Sequence, residues 1–148
     1  MASRPERAFR IADRRRAIFD GTGAFLNGGR WNSPGRRVIY GAETFAGAIL
    51  EVLVHTGIGK VPRTHSWVEI AIPPEVSIEE LEQDAGLDPR AFGDRWYGER
   101  RSLILLVPSV AASGLARNVL INQDHEEFSL LRASEPREVI WDSRLFTH

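Results

Sequence analysis

The alternation of apolar and polar positions predicts several short β-strands spread along the chain. Val68, Ile70 and Ile72 fall on one side of an alternating stretch, which is typical of a strand with one buried face. Residues 103–107 are continuously apolar, as in a strand that is buried on both faces. Shorter runs predict further strands at 7–11, 38–40, 118–122 and 138–142.

Two helices are predicted between these strands. Thr44 is a suitable N-cap for a helix over 45–55, and Gly57 is a suitable stop. A second helix is predicted over 88–101, although two glycines inside it lower its helix propensity. The segment 13–34 is rich in glycine and charged residues, which predicts loops.

These elements favour an α+β fold in one domain over residues 1–148. Strands outnumber helices and do not alternate regularly with them, which favours a mainly antiparallel sheet with a few helices over a doubly wound fold. With 148 residues, of which 43% are hydrophobic, the chain is long and apolar enough to bury a core.

The composition narrows the function classes. The net charge of −1 gives no global basic field for nucleic acid, although arginines are concentrated in the first quarter of the chain. The absence of cysteine excludes disulfides, thiol catalysis and cysteine-ligated zinc. The four histidines form no close-set ligand pair, so we expect no metal. Without an apolar run of membrane-spanning length or a signal-peptide pattern, we expect no membrane contact and a cytoplasmic location.

A glycine-rich basic loop is the first candidate site. Gly28 and Gly29 let the backbone approach a ligand closely. The guanidinium of Arg30 suits a phosphate, and the indole of Trp31 offers a flat face to a ring. These residues fit a phosphorylated, ribose-bearing ligand, whereas a surface hairpin with a solvated arginine explains the same spacing.

A single acid in an otherwise apolar helix is the second candidate. Gly47 and Ala48 lie one turn before Glu51 and leave almost no side chain on that face, so a cleft is expected there. The alternative is an acid at a helix end that faces water.

Three further features have both structural and functional interpretations. Ser109 follows a buried strand without a nucleophile-elbow motif, so a capping role fits it better than serine hydrolysis. Asn118, Asn122 and His125 form a polar group that suits either a ligand or an ordinary turn. The segment 21–24 lacks the spacing of a dinucleotide-binding fingerprint, which argues against a Rossmann dehydrogenase.

A series of motifs in fixed order resembles the RES domain family, which is named for an arginine, a glutamate and a serine. The resemblance covers about residues 9–145. The motifs are Gly21-Thr22-Gly23-Ala24, Gly28-Gly29-Arg30-Trp31-Asn32, Val38-Ile39-Tyr40, Ala48-Ile49-Leu50-Glu51 with His55, Val107-Pro108-Ser109, Asn118 with Leu120-Ile121-Asn122 and His125, and Asp142-Ser143-Arg144-Leu145.

The resemblance implies a fold similar to ADP-ribosyltransferases of the diphtheria-toxin kind. It implies the toxin of a bacterial toxin–antitoxin pair, with NAD as substrate. It further implies that NAD is cleaved at the nicotinamide–ribose bond and that ADP-ribose passes to water, phosphate or a protein acceptor. The implied partner is a cognate antitoxin that covers the active site.

The family's site residues carry over onto matching positions of this chain. The resemblance assigns catalysis to Glu51, Arg30 and Tyr40, with Glu51 stabilising the ribosyl cation and Arg30 clamping the pyrophosphate. It also implies that Ser109 orients Glu51 or binds the ribose. The full set expected to bind NAD is Arg10, Gly28, Gly29, Arg30, Trp31, Tyr40, Ser109 and Asn118. Gln123 replaces a proline common in the family, so we expect a freer loop there.

Three other functions remain open on the sequence. A mono-ADP-ribosyltransferase would use the same site on one cellular protein. A regulatory module would bind a nucleotide without consuming it. Nucleic-acid binding through the N-terminal arginines is disfavoured by the balanced charge.

Overall fold

The computed structural model describes residues 3–57 and 59–146. Eight strands and three α-helices occur within these residues. In chain order they are β1 (Arg7–Asp13), α1 (Thr22–Asn27), β2 (Val38–Ala42), α2 (Phe45–Thr56), β3 (His65–Ala71), β4 (Ile78–Glu80), α3 (Pro89–Gly98), β5 (Ile104–Pro108), β6 (Arg117–Asn122), β7 (Arg132–Ala133) and β8 (Arg137–Glu138). Short 3₁₀ turns lie at Val110–Ala112, Glu126–Leu130 and Ser143–Leu145. The predicted α+β class with a mainly antiparallel sheet is confirmed.

All eight strands belong to one sheet with a weak seam in its middle. The strand order is β4-β5-β6-β2-β1-β3-β7, and β8 also pairs with β3. Pairing is antiparallel except between β4 and β5. Only Phe9 and Ala42 pair across β1 and β2, whereas β1 follows β3 over its whole length. The sheet therefore consists of two parts that meet at one residue pair.

The two faces of the sheet are covered differently. The helices α2 and α3 pack on one face, called here the helix face, above β2 residues Val38, Tyr40 and Ala42. The opposite face is covered by loop residues such as Ile18 and by the 3₁₀ turn around Phe128. Its buried residues are Ala8, Ile39, Val68, Ile70, Ile104, Leu106, Val119 and Ile121.

The helix face carries two separate apolar clusters. The α3 cluster consists of Trp31, Val38, Trp96, Leu105, Val107 and Leu120. The α2 cluster consists of Ile11, Ala42, Ala48, Val52 and Val139. Strand β2 contributes Val38 to the α3 cluster and Ala42 to the α2 cluster. Tyr40 lies between these two residues, in the middle of β2. Because the two apolar clusters are separate, polar side chains can meet between them above this part of the strand.

The predicted helices are confirmed, with α3 slightly shorter than expected. Thr44 caps α2 by accepting a hydrogen bond from the Gly47 N–H at 3.0 Å. Gly57 follows the helix with φ of +84°, a conformation that glycine adopts without strain. Asp88 caps α3 in the same way, and the helix ends at Gly98.

The sequence predictions fail where an element is short. The sequence predicts a loop at 22–27, whereas these residues form α1. The strand predicted at 138–142 pairs only at 137–138, because Ile140 turns out to solvent and is 92% exposed. Trp141 therefore lies outside any strand. Within the described residues, no helix has the length and apolar character needed to cross a membrane.

Candidate active site

Glu51 lies on α2 with one carboxylate oxygen held by two side chains. Its Oε1 accepts hydrogen bonds from Ser109 Oγ and from Asn118 Nδ2, both at 3.1 Å. Its Oε2 has no hydrogen-bond partner among residues 3–57 and 59–146. Two donors on one oxygen fix the rotation of the carboxylate and leave the other oxygen for a further group.

The two donors come from neighbouring strand ends. Ser109 follows β5 and caps the 3₁₀ turn Val110–Ala112 by accepting a hydrogen bond from the Ala112 N–H at 3.3 Å. Asn118 lies in β6 between Ala42 of β2 and Val107 of β5. Both donors are thus positioned by the sheet, while the acid that they hold comes from the helix above it.

The small residues before Glu51 serve close packing. An added Cβ at Gly47 would lie 3.3 Å from the Ala42 Cβ, and Ala48 is buried in the α2 cluster. They let α2 approach β2 closely enough for Glu51 to reach Ser109 and Asn118. The expectation that these small residues open a cleft is therefore wrong.

Tyr40 shares the helix face with Asn118. Tyr40 is paired with Leu120 across β2 and β6, which makes Asn118 its diagonal neighbour, with Cα atoms about 7–8 Å apart in such pairs. Its hydroxyl donates to Asn32 Oδ1 at 2.7 Å and accepts from the Trp31 N–H at 3.0 Å. Burial raises the pKa of Tyr40 above its ordinary value, so the phenol stays protonated at neutral pH.

The glycine-rich loop is pinned onto Tyr40. A Cβ at Gly29 would lie 2.7 Å from the Tyr40 hydroxyl oxygen, so a larger residue there would have to displace the Tyr40 side chain. The Gly28 N–H donates to the Ala24 carbonyl at 2.8 Å, and the Gly29 N–H to the Asn32 carbonyl at 2.9 Å. Both N–H groups are used inside the loop, so neither is available for the close backbone approach to a ligand that was expected of these glycines.

Trp31 is part of the core. Its side chain is 3% exposed, stands edge-on to Phe92 at 6.2 Å and lies against Gly93 of α3. The expectation that the indole stacks on a ligand is wrong, because the buried ring has no free face.

Arg30 extends out of the same loop towards solvent. Its side chain is 51% exposed, and its Nη2 pairs with Asp84 Oδ2 at 3.0 Å. Asp84 lies in the segment between β4 and α3. Most of the guanidinium's donors stay accessible to an anion.

Arg10 closes the seam between β1 and β2. It alternates with Phe9, whose partner Ala42 faces the helices, so its side chain leaves on the opposite face. Its Nε donates to the Ile18 carbonyl at 2.6 Å and its Nη1 to the Tyr40 carbonyl at 2.8 Å. Burial lowers its pKa to about 10, partly offset by the charge of Asp20. This arrangement contradicts the expectation that the Arg10 guanidinium is free to bind NAD.

The polar group after β6 makes internal bonds. The Asn122 side chain is buried and binds the Tyr97 carbonyl and the Asp124 N–H. His125 Nδ1 accepts from the Glu127 N–H at 3.0 Å. Gln123 accepts from the Gly21 N–H at 2.7 Å, which contradicts the expected freer loop at this position. These side chains hold the turn together.

Surface cavities and clusters of potential metal ligands are the other features that could hold a small molecule or an ion. Two surface cavities of about 500 Å³ are lined by other residues, one around Leu115 and Arg117 and one around Val139 and Trp141. Among the described residues, no three potential metal-ligating side chains cluster together.

The sequence model of the RES domain matches residues 7–142. The chain belongs to the RES domain family. The match includes all nine residues that the resemblance assigned to the site, from Arg10 to Asn118. The recognition from the ordered motifs is thus confirmed.

Relatives in the RES family extend over most of this chain. The "Prs ADP-ribosylating toxin" of Sphingobium sp. is 35% identical over 137 residues, covering 84% of each protein. The "Toxin Res" of Pseudomonas putida is 34% identical over 138 residues, covering 88% of this chain and 94% of its own length. A chain of the M. tuberculosis MbcT–MbcA toxin–antitoxin complex superposes with a TM-score of 0.74 at 17% identity, covering 90% of this chain and 84% of that one. This last likeness shows a shared fold.

Proposed function

We propose that this protein is the toxin of a bacterial toxin–antitoxin pair and that it cleaves NAD at the nicotinamide–ribose bond. Relatives over most of the chain are named as toxins, one of them as ADP-ribosylating. The observation that carries the proposal is the Glu51 carboxylate, fixed through Oε1 by Ser109 and Asn118 with Oε2 unpaired among the described residues.

One carboxylate is enough for this reaction. Breaking the nicotinamide–ribose bond builds positive charge on the ribose, as in glycoside cleavage. Nicotinamide leaves as a neutral molecule, so its departure needs no general acid. The negative charge of Glu51 stabilises the ribosyl cation through its free oxygen, and the fixed orientation means that little reorganisation is needed.

Tyr40 and Arg30 complete the proposed site. The Tyr40 hydroxyl holds the glycine-rich loop in place through its bonds to Trp31 and Asn32. In this proposal the Tyr40 ring borders the nicotinamide. Arg30 leaves that loop at the surface and binds the diphosphate.

Removing either donor to Glu51 should lower kcat and leave KM nearly unchanged. Ser109→Ala and Asn118→Ala each remove one bond to a charged acceptor, worth about 1.5–3 kcal/mol or roughly 10–100-fold in rate. Steady-state nicotinamide release measures both constants. Ser129→Ala at an exposed position is the matched control and should behave as wild type. A large rise in KM with normal kcat would show that these residues bind substrate instead of orienting Glu51.

Replacing Arg30 by lysine should raise the KM for NAD about tenfold. A guanidinium binds a diphosphate through two parallel N–H groups, whereas an ammonium offers one point charge. NAD titration of the purified variant measures the change. Arg36→Lys is a control, since Arg36 is also a loop arginine paired with a single carboxylate, Asp94. An unchanged KM for Arg30→Lys would contradict the diphosphate contact.

Product analysis tests the proposed reaction and identifies the acceptor. Purified protein incubated with NAD should release nicotinamide. ADP-ribose as co-product indicates water, and ADP-ribose 1″-phosphate formed only with inorganic phosphate indicates phosphorolysis. Labelled NAD added to a cell lysate detects a protein acceptor. A protein acceptor would make this protein a mono-ADP-ribosyltransferase, which is the second candidate function. The name of the Sphingobium relative favours it. A folded protein that neither binds nor consumes NAD would refute both.

The proposed partner is a cognate antitoxin that covers the active site. The superposition on a chain from a toxin–antitoxin complex supports this assignment. The antitoxin should suppress nicotinamide release when it is co-expressed with this protein.

A further inference from the structure

The only acidic side chain that pairs with Arg30 in the described residues is Asp84. The two meet at 3.0 Å between Arg30 Nη2 and Asp84 Oδ2, and their side chains are 51% and 27% exposed. Asp84 belongs to the segment joining β4 to α3, where its carbonyl accepts a hydrogen bond from the Leu87 N–H at 3.1 Å. The contact therefore joins this turn to the glycine-rich loop.

A carboxylate and a phosphate use the same face of a guanidinium. The Asp84 carboxylate accepts one bond, from Nη2, so a diphosphate that takes parallel bonds including Nη2 competes with Asp84 for that donor. An exposed ion pair of this kind contributes about 0–1 kcal/mol, which a doubly charged diphosphate can replace. A carboxylate that remains close after displacement also repels the diphosphate.

Arg30 does not depend on Asp84 for its placement. The next residue, Trp31, is buried in the α3 cluster, and its N–H is bonded to Tyr40. On the other side of Arg30 in the sequence, the Gly29 carbonyl accepts a hydrogen bond from the Arg90 side chain at 3.2 Å. The residues before and after Arg30 are therefore both held in place. Loss of the Asp84 charge would therefore release the guanidinium without displacing the loop.

We propose that Asp84 is an affinity-determining residue that occupies Arg30 in the free protein and competes with the diphosphate of NAD. This inference rests on the proposed function, since it takes Arg30 as the diphosphate ligand. According to this inference, Asp84 weakens the binding of NAD and takes no part in bond cleavage.

The test is Asp84→Asn, which removes the charge and preserves the size of the side chain. We expect the KM for NAD to fall about three- to tenfold, the range set by loss of a weak exposed ion pair together with one nearby repulsion, with kcat unchanged. Glu82→Gln removes the same charge two residues away, from a side chain without an ion pair in the described part of the chain, and should keep the wild-type KM. An Asp84→Asn variant with an unchanged or higher KM would overturn the proposal.

A double-mutant cycle separates competition at Arg30 from a general charge effect. In an Arg30→Ala background, Asp84→Asn should no longer change the KM. An equal fall in KM in both backgrounds would overturn the proposal, because the Asp84 charge would then act without Arg30. Failure of the proposed function looks different, since the wild-type protein would then release no nicotinamide from NAD.

Discussion

Glu51→Gln should lower the rate of nicotinamide release by about 10²–10³-fold, the loss seen when one preorganised electrostatic contact to a transition state is removed. Glutamine keeps a side-chain oxygen that can accept from Ser109 and Asn118, so the local geometry survives. What disappears is the negative charge opposite the forming ribosyl cation. The rate should be measured together with thermal unfolding, which should stay close to wild type.

Glu126→Gln is the matched control for this change. Glu126 is exposed at the start of a 3₁₀ turn, so its replacement removes one carboxylate without altering the site. Its rate of nicotinamide release should equal that of wild type. A Glu51→Gln rate within a few-fold of wild type would mean that another group stabilises the cation.

Gly93→Ala should destabilise the fold by more than about 3 kcal/mol, beyond the usual range for overpacking. A Cβ at Gly93 would lie 1.7 Å from the Trp31 carbonyl oxygen and 2.7 Å from its carbon, and both are backbone atoms. Helix α3 would have to move away from Trp31, which opens the α3 cluster and loosens the loop that holds Tyr40. Denaturant unfolding monitored by tryptophan fluorescence measures the loss.

Gly98→Ala tests the same substitution in the same helix. Among residues 3–57 and 59–146, a Cβ at Gly98 would have no atom within 4 Å apart from its chain neighbours and the backbone of α3, so the change should stabilise α3 by roughly 0.5–1 kcal/mol. The change in the free energy of unfolding should therefore have opposite signs at the two glycines, because their packing differs. A Gly93→Ala variant as stable as wild type would contradict the contact between α3 and Trp31.

The sequence predicted those parts of the fold that have local causes. The cap and stop of α2 depend on Thr44 and Gly57 themselves, and β5 is marked by a continuous apolar run. The short β7 and β8 form only because β3 offers them an edge, and such two-residue pairings leave no periodic pattern. The N-cap residue of α1 is Gly21, which has no side chain, so the usual starting signal is missing.

The candidate site was predictable in its members and less so in their roles. Glu51, Ser109 and Tyr40 came from the ordered motifs of the family. Asn118 could be placed beside Glu51 only once the register of β6 was known. The alternation of Arg10 with Phe9 and Ile11 is a signal that could have placed Arg10 on the opposite face of the sheet from Tyr40. From the local sequence, Gly93 only lowers the helix propensity of α3. Its close contact with Trp31 is long-range and leaves no trace in the local sequence.

The seam between β1 and β2 gives position 10 an unusual importance. Elsewhere in the sheet, amide pairing links neighbouring strands and accepts almost any side chain. Here the guanidinium of Arg10 in β1 donates to the Tyr40 carbonyl of β2 and also binds the Ile18 carbonyl in the loop after β1. The alignment of β2, the strand beneath the acidic residue, thus depends on the side chain at position 10 as well as on the pair formed by Phe9 and Ala42.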